Sequence, residues 1–297
     1  MSARRKVGGL ALACAVNLGA LVGCSSKDAS TTEQAASSAP HAHDAPERAG
    51  GTVAASVKVA QPVEPGRPAE LAFAFADGSG RPLDDFQVVH EKRLHLFVVS
   101  DDLAFFDHVH PSDSATAPGN WSIAQSFPRA GTYHLYADFT SASEGAHMTK
   151  SDLEVPGDRP APAPLVASTE PTQRVGDLAI TAKFVGAPIP SGDAMLEYSI
   201  ADERGAAVTD LEPYLGAFGH LFILKDDRVT TVHAHPLDGG GAHGGPKLTF
   251  HASLPGPGKY KLWAQFQRRG EVMTAPWVIE VSEAPAPPNP HAHHRMH

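Results

Sequence analysis

Cysteine is almost absent from this chain: Cys14 and Cys24 are the only two in 297 residues. Two thiols cannot build a Cys-rich metal cluster or a disulfide framework. Positive charge is also short. Lys and Arg number 24 against 33 Asp and Glu, a net charge of −9, which argues against nucleic acid or an anionic membrane surface as partner. No segment carries a sustained helical period. Enzyme signatures are missing too: there is no Ser-His-Asp order, no glycine loop to cradle phosphate ahead of a helix, and no isolated carboxylate pair. The sequence therefore does not read as an enzyme. What it holds in excess is histidine, with 17 residues.

Arg4, Arg5 and Lys6 precede an apolar run, Val7 to Val22, broken only by Asn17 and ending at Leu21-Val22-Gly23-Cys24. A basic start followed by an apolar stretch is the pattern of a secretory signal. Its close resembles the bacterial lipobox. That resemblance implies removal of residues 1–23, lipid attached to Cys24, and a place in the cell envelope. Ser25 after the cysteine implies the outer membrane, facing the periplasm, in a Gram-negative cell. An ordinary secretory signal or a short membrane anchor is the plainer alternative. Under the lipoprotein reading both cysteines leave metal chemistry, since Cys14 is discarded and Cys24 acylated.

Residues 24–51 read as a flexible tether, 156–171 as a stiff Pro/Ala linker, and 283–297 as a His-rich tail. Between them, 52–155 and 172–282 are copies of one another. Leu71–Pro111 aligns on Leu196–Pro236 without a gap at an offset of 125, with 13 of 41 positions identical. After an indel of two, Pro128, Gly131, Tyr133, Leu135, Ala137 and Phe139 match Pro255, Gly258, Tyr260, Leu262, Ala264 and Phe266. Met148-Thr149 then aligns with Met273-Thr274 at the original offset. This is a tandem duplication. Each copy shows short alternating strands bounded by Gly, Pro and Asp; in the first they fall near 53–60, 70–76, 93–99, 104–110, 121–127, 131–139 and 147–155. About seven strands in ~100 residues predict an all-β fold, two tandem immunoglobulin-like β-sandwich domains with disordered tails.

Both copies carry His-x12-His-x-His-Pro: His95, His108, His110 and His220, His233, His235. A two-residue hairpin turn at Asp101-Asp102 would set His95 directly opposite His108, with His110 two residues on along the same face. Asp226-Asp227 would do the same for His220 and His233. Three imidazoles at such spacing can converge on one ion, and neutral imidazole suits copper and zinc. Met148 and Met273 are secondary candidates whose thioethers would tilt the choice toward copper, as Cu(I); core packing is the blander role for both. His90 and His147 occur only in copy one, and His243 sits in a Gly-rich loop of copy two; all three are auxiliary candidates. His134 is expected to face solvent. His41 and His43 near the front, with His291, His293, His294 and His297 at the end, read as weakly chelating arms.

The stretch LHLFVVSDDLAFFDHVHP (94–111), with FPRAGTYHLYADF and LGAFGHLFILKDD…HAHP, resembles bacterial secreted or lipid-anchored β-domain proteins described as FixH-like or YtkA-like, or heavy-metal-associated. The resemblance covers most of residues 53–281. It implies an immunoglobulin-like fold and metal handling, copper first, in the envelope. Phe106 to His110 also resembles the copper strand of Cu,Zn superoxide dismutases, but the disulfide and the zinc loop are missing. Cupins place a Glu four residues after His-x-His, where Ser114 and Gly239 stand here.

The sequence is thus expected to encode an envelope lipoprotein that binds, buffers or delivers copper or zinc through one triad per domain. Binding is expected to weaken between about pH 7 and 5 as the ligands protonate. The alternative is a structural adaptor that supports a membrane partner, such as a metal transporter, with histidines that hold no metal.

Overall fold

The computed structural model describes residues 53–283 except 115–116, 118, 160, 163, 185–188 and 238–243. The signal segment, Cys24, both histidine arms and His243 lie outside the described residues.

Domain 1 comprises β1 (Ala54–Val59), β2 (Pro68–Ala76), β3 (His95–Ser100), β4 (Phe106–Val109), β5 (Ser112–Asp113), β6 (Asn120–Ser126), β7 (Gly131–Ser141) and β8 (Gly145–Val155). One sheet runs β1-β2-β6-β5 and the other β4-β3-β7-β8. These are the two antiparallel sheets of an immunoglobulin sandwich, with the second strand paired to the sixth and the third to the seventh. Domain 2 comprises β9 (Thr172–Val175), β10 (Leu178–Phe184), β11 (Ile189–Pro190), β12 (Gly192–Asp202), β13 (His220–Lys225), β14 (Thr231–Ala234), β15 (Lys247–Leu254), β16 (Gly258–Arg268) and β17 (Glu271–Ser282). Its sheets run β15-β12-β10-β9 and β11-β17-β16-β13-β14. A single bridge from Pro236 to Phe250 stands where domain 1 has β5.

Each domain closes on its own apolar core. In domain 1, Leu71, Phe73, Phe75, Leu96, Val98, Tyr133, Leu135 and Phe139 interdigitate. In domain 2, Ile180, Tyr198, Leu221, Phe250, Leu262, Phe266 and Trp277 do so. Both domains carry a tyrosine corner. The Tyr133 hydroxyl donates to the Arg129 carbonyl at 3.0 Å, and that of Tyr260 to the Pro255 carbonyl at 2.7 Å. Tyr133→Phe and Tyr260→Phe are each expected to cost about 1 kcal/mol in urea unfolding, the worth of one part-buried hydrogen bond, without altering the histidine sites.

The two domains are not beads on a spacer. All six residues of β3 are buried, because its two faces meet different partners. Leu96 and Val98 face the domain-1 core, whereas Phe97 and Val99 join a third apolar cluster with Leu103, Tyr136, Phe222, Leu224 and Trp263. Phe97 stacks on Phe222 at a centroid separation of 4.1 Å, and Phe106 on Trp263 at 4.7 Å. Polar contacts cross the same junction. The Tyr136 hydroxyl donates to the Arg228 carbonyl, and the Arg228 guanidinium donates to the Asp101 carbonyl. The segment expected to be a stiff linker is docked, with Ser168 bonded to Val278 through both its amide and its hydroxyl.

Candidate metal centre

The third and fourth strands of each domain meet in a loop longer than a two-residue turn. Ser100 N–H donates to Phe105 O, enclosing Asp101–Ala104, and Leu103 takes a φ of 58°. In domain 2 Lys225 N–H donates to Thr230 O, with Arg228 at 60°. The register that follows pairs Phe97 with His108 and Phe222 with His233. The sequence-based pairing of His95 with His108 and of His220 with His233 is therefore off by two residues. The slip is even, so every histidine keeps its face and the triad survives. The second Asp of each pair explains the loop. Asp102 accepts from the Ser100 hydroxyl and from Ala104 N–H, and Asp227 accepts from Val229 and Thr230.

Both triads converge. In each group of three, one ring nitrogen per residue lies within 4.8 Å of the others. In domain 1, His95 Nδ1 stands 3.1 Å from His108 Nε2 and 3.2 Å from His110 Nε2. A tetrahedral ion with Zn–N bonds of ~2.0–2.1 Å holds its nitrogens about 3.3 Å apart. The rings are oriented by their outer nitrogens. His95 Nε2–H donates to the Val89 carbonyl at 3.1 Å, and His220 Nε2–H to the Tyr214 carbonyl at 2.7 Å. These carbonyls are presented by tight turns in which His90 and Glu91, or Leu215 and Gly216, have positive φ. His108 Nδ1 faces Gln265 Oε1 at 2.9 Å, and that amide's nitrogen donates to Thr274 Oγ1. His233 Nδ1 meets Asp138 Oδ2 at 2.7 Å.

With the outer nitrogens donating, the inner nitrogens of neutral rings carry lone pairs. His95 Nδ1 and His108 Nε2 then face each other as two acceptors, an arrangement that a cation between them relieves. His220 Nδ1 and His235 Nε2 are buried with no hydrogen-bond partner. Such orphaned buried nitrogens point to a ligand. Burial, then the neighbouring imidazoles, holds His108 and His235 well below the usual histidine range. Burial takes His220 down to about 3, against the Tyr214 carbonyl. Burial, with His95 and Lys92 beside it, does the same for His110, also to about 3. These four rings are neutral at pH 7, the form that binds metal.

The structure brings the two triads together, which the sequence did not foretell. Ring centroids of His95 and His233 are 5.6 Å apart and those of His108 and His220 5.9 Å. His90 reaches the domain-2 triad and stacks on His235 at 3.5 Å. A cleft of about 10 Å³, room for one ion or water, opens among His90, His95, Asp138, His233 and His235.

The auxiliary candidates separate. Met148 pairs with Asp138 and so shares the face of His95, packing against the interdomain cluster. Met273 pairs with Phe266 and lies in the domain-2 core with its sulfur at Gly176. The two methionines aligned in sequence thus occupy opposite faces, and Met273 does not accompany the triad. The structural counterpart of Met273 is His147, opposite Phe139. His147 Nε2–H donates to the Glu144 carbonyl, on the face turned from the triads. His134, expected at the surface, is buried between Asp152 and Asp101 at 2.7 and 3.0 Å. Sequence reasoning missed Asp138 and Gln265. Their signal was the alternation of β7 and β16, in which Tyr136-x-Asp138 and Trp263-x-Gln265 form the face opposite Leu135-x-Ala137 and Leu262-x-Ala264.

Fold and site define a tandem β-sandwich protein with two histidine triads at the junction of its domains. The chain belongs to the family described as "Domain of unknown function (DUF8832)", whose model matches residues 34–157 and 173–283, one stretch for each domain. No curated protein matches the chain. Similar solved structures include domains 1–6 of the surface layer protein SbsC, at 12% identity and a TM-score of 0.25, covering 79% of this chain and 28% of that one. A tetra-tandem repeat from the extending region of a large adhesion protein matches at 11% identity and 0.25, covering 77% of this chain and 49% of that one. Red sea bream transglutaminase matches at 11% and 0.24, covering 78% and 31%. The chain spans less than half the length of each of these three. Their low TM-scores carry no argument about function.

Proposed function

We propose that this protein is an envelope lipoprotein, anchored at Cys24, that binds, buffers or delivers a transition metal, copper first and zinc next, through its two histidine triads. The observation that carries this reading is the convergence of three ring nitrogens in each triad while the outer nitrogens of two of the three rings, His95 and His108 or His220 and His233, are held by hydrogen bonds. Histidines kept for packing alone would not need matched orientation in both copies. Hydrogen bonds from ligand histidines to carbonyl and carboxylate oxygens are the usual outer support of metal sites. Three protein ligands leave a fourth position open, as exchange or delivery requires. The motif resemblance to heavy-metal-associated β-domains points the same way, and a membrane metal transporter is the partner we propose for delivery.

The test is metal stoichiometry on residues 50–282, which hold every described strand and lack both histidine arms. We expect two ions per chain in total, counted over Cu(I), Cu(II) and Zn(II), falling to one in His108→Ala/His110→Ala. Absence of any tight ion would leave the adaptor reading in its place.

A further inference from the structure

We infer that the triads are not equivalent: Asp138 and Gln265, each reaching across the junction to a ligand of the other domain, direct a divalent ion to the domain-2 triad and univalent copper to the domain-1 triad. This rests on the metal-binding reading above and adds the division of ions between the sites.

Asp138 and Gln265 occupy one structural position. Asp138 pairs with His95 on β3, and Gln265 with His220 on β13. Each contacts a histidine of the other domain's triad. The Asp138 carboxylate accepts a hydrogen bond from His233 Nδ1–H, and the Gln265 amide oxygen one from His108 Nδ1–H. Duplication supplied two copies of the scaffold; divergence at this position left one charged partner and one neutral one. Thr274 receives the Gln265 amide nitrogen, so the carbonyl end is the one turned to His108.

The difference is one of charge. A carboxylate on the outer nitrogen makes an imidazole a stronger donor and brings a negative charge to the edge of the site. A divalent ion on three neutral imidazoles beside Asp138 leaves a residual charge of about one, and so does Cu(I) on the triad beside Gln265. A divalent ion at the domain-1 triad would keep its full charge in a buried place, against the second ion. The triads are near enough for that repulsion to count, since His95 and His233 lie 5.6 Å apart and His108 and His220 5.9 Å apart. Imidazole serves both valences, so the outer contact decides between them.

Asp138 and Gln265 are positioning residues, and the test reads selectivity as well as affinity. The chain 50–282 is titrated with Co(II) and Zn(II) in competition, then anaerobically with Cu(I) against a chromophoric chelator. Wild type is expected to take one divalent ion tightly and one Cu(I) in addition. Asp138→Asn should weaken the divalent site about 10–100-fold and leave Cu(I) binding unchanged. Gln265→Glu should raise the count of tight divalent ions from one to two, a gain that loss of structure cannot produce. Two divalent ions of equal affinity in wild type, insensitive to Asp138→Asn, would overturn the inference while leaving the metal-binding reading intact. No tight ion of either valence would overturn both.

Discussion

Phe97→Ala and Phe222→Ala are each expected to destabilise the protein by about 3–5 kcal/mol and to loosen both triads at once. Each ring is 1% exposed and stacked on the other, and neither belongs to the core of its own domain. Phe97 also stacks on His108 at 4.4 Å and meets His233 edge-on at 4.9 Å, so one truncation opens space beside a histidine of each triad. For a folded unit of this size the cost corresponds to a fall in Tm of roughly 6–20 °C. The double variant should lose less than the sum of the singles, because each single already removes the shared stack. Phe75→Ala separates junction from core. Phe75 lies in the domain-1 core against Phe86 and Phe139, so its loss should lower Tm comparably and leave metal affinity unchanged. Metal affinity that falls equally in Phe75→Ala, or that survives in Phe97→Ala, would show that the junction does not organise the sites.

The metal-free protein should lose stability as pH falls below about 6.5, and ion release should coincide with unfolding. His220 is lowered to about 3 and His108 and His235 lie well below their usual range, so between those limits the unfolded chain takes protons that the folded chain refuses. A lowered base therefore costs nothing above pH 6.5, and the cost grows as pH falls toward 3. At pH 5 it is about 2 kcal/mol for His220 alone, and His108 and His235 add to it in the same direction, against a typical total of 5–15 kcal/mol. The depressed carboxylates, among them Asp102, held by the Ser100 hydroxyl, and Asp152, held by His134, withdraw further support below about pH 4. Bound metal opposes this, by about 4 kcal/mol per site at a thousandfold excess over Kd. The gradual release between pH 7 and 5 expected from exposed histidines is thereby replaced by a cooperative step at lower pH. Near-UV circular dichroism and bound metal, followed together through an acid titration, check this. Ions leaving between pH 7 and 5 with the dichroism intact would refute it.

Much of this site was legible along the chain because its histidines are local. His95, His108 and His110 lie within one hairpin, and period-two alternation assigns their face whether the loop holds two residues or four. The exact pairing was not legible, since an Asp pair suits both a tight turn and a longer loop in which the second Asp caps the backbone. Met148 and Met273 misled for the complementary reason. They align as letters, but the hairpins that carry them differ in length, and a slip of one residue sends a side chain to the other face. The uninterrupted runs Leu96–Val99 and Leu221–Leu224 did hold a sign of two-sided burial, of a kind that alternation alone does not separate from an ordinary core strand.

What the sequence by itself determined is the duplicated all-β sandwich and the membership of each triad, set by contacts within one domain and by spacings of two. Only the tertiary structure decided that the triads face one another, that His90 stacks on His235 of the other domain, and that Asp138 and Gln265 hold histidines they do not neighbour in the chain. Those contacts depend on how two sheets pack through Phe97 and Phe222. The shape of that junction is a property of both surfaces together, and neither copy of the repeat specifies it alone.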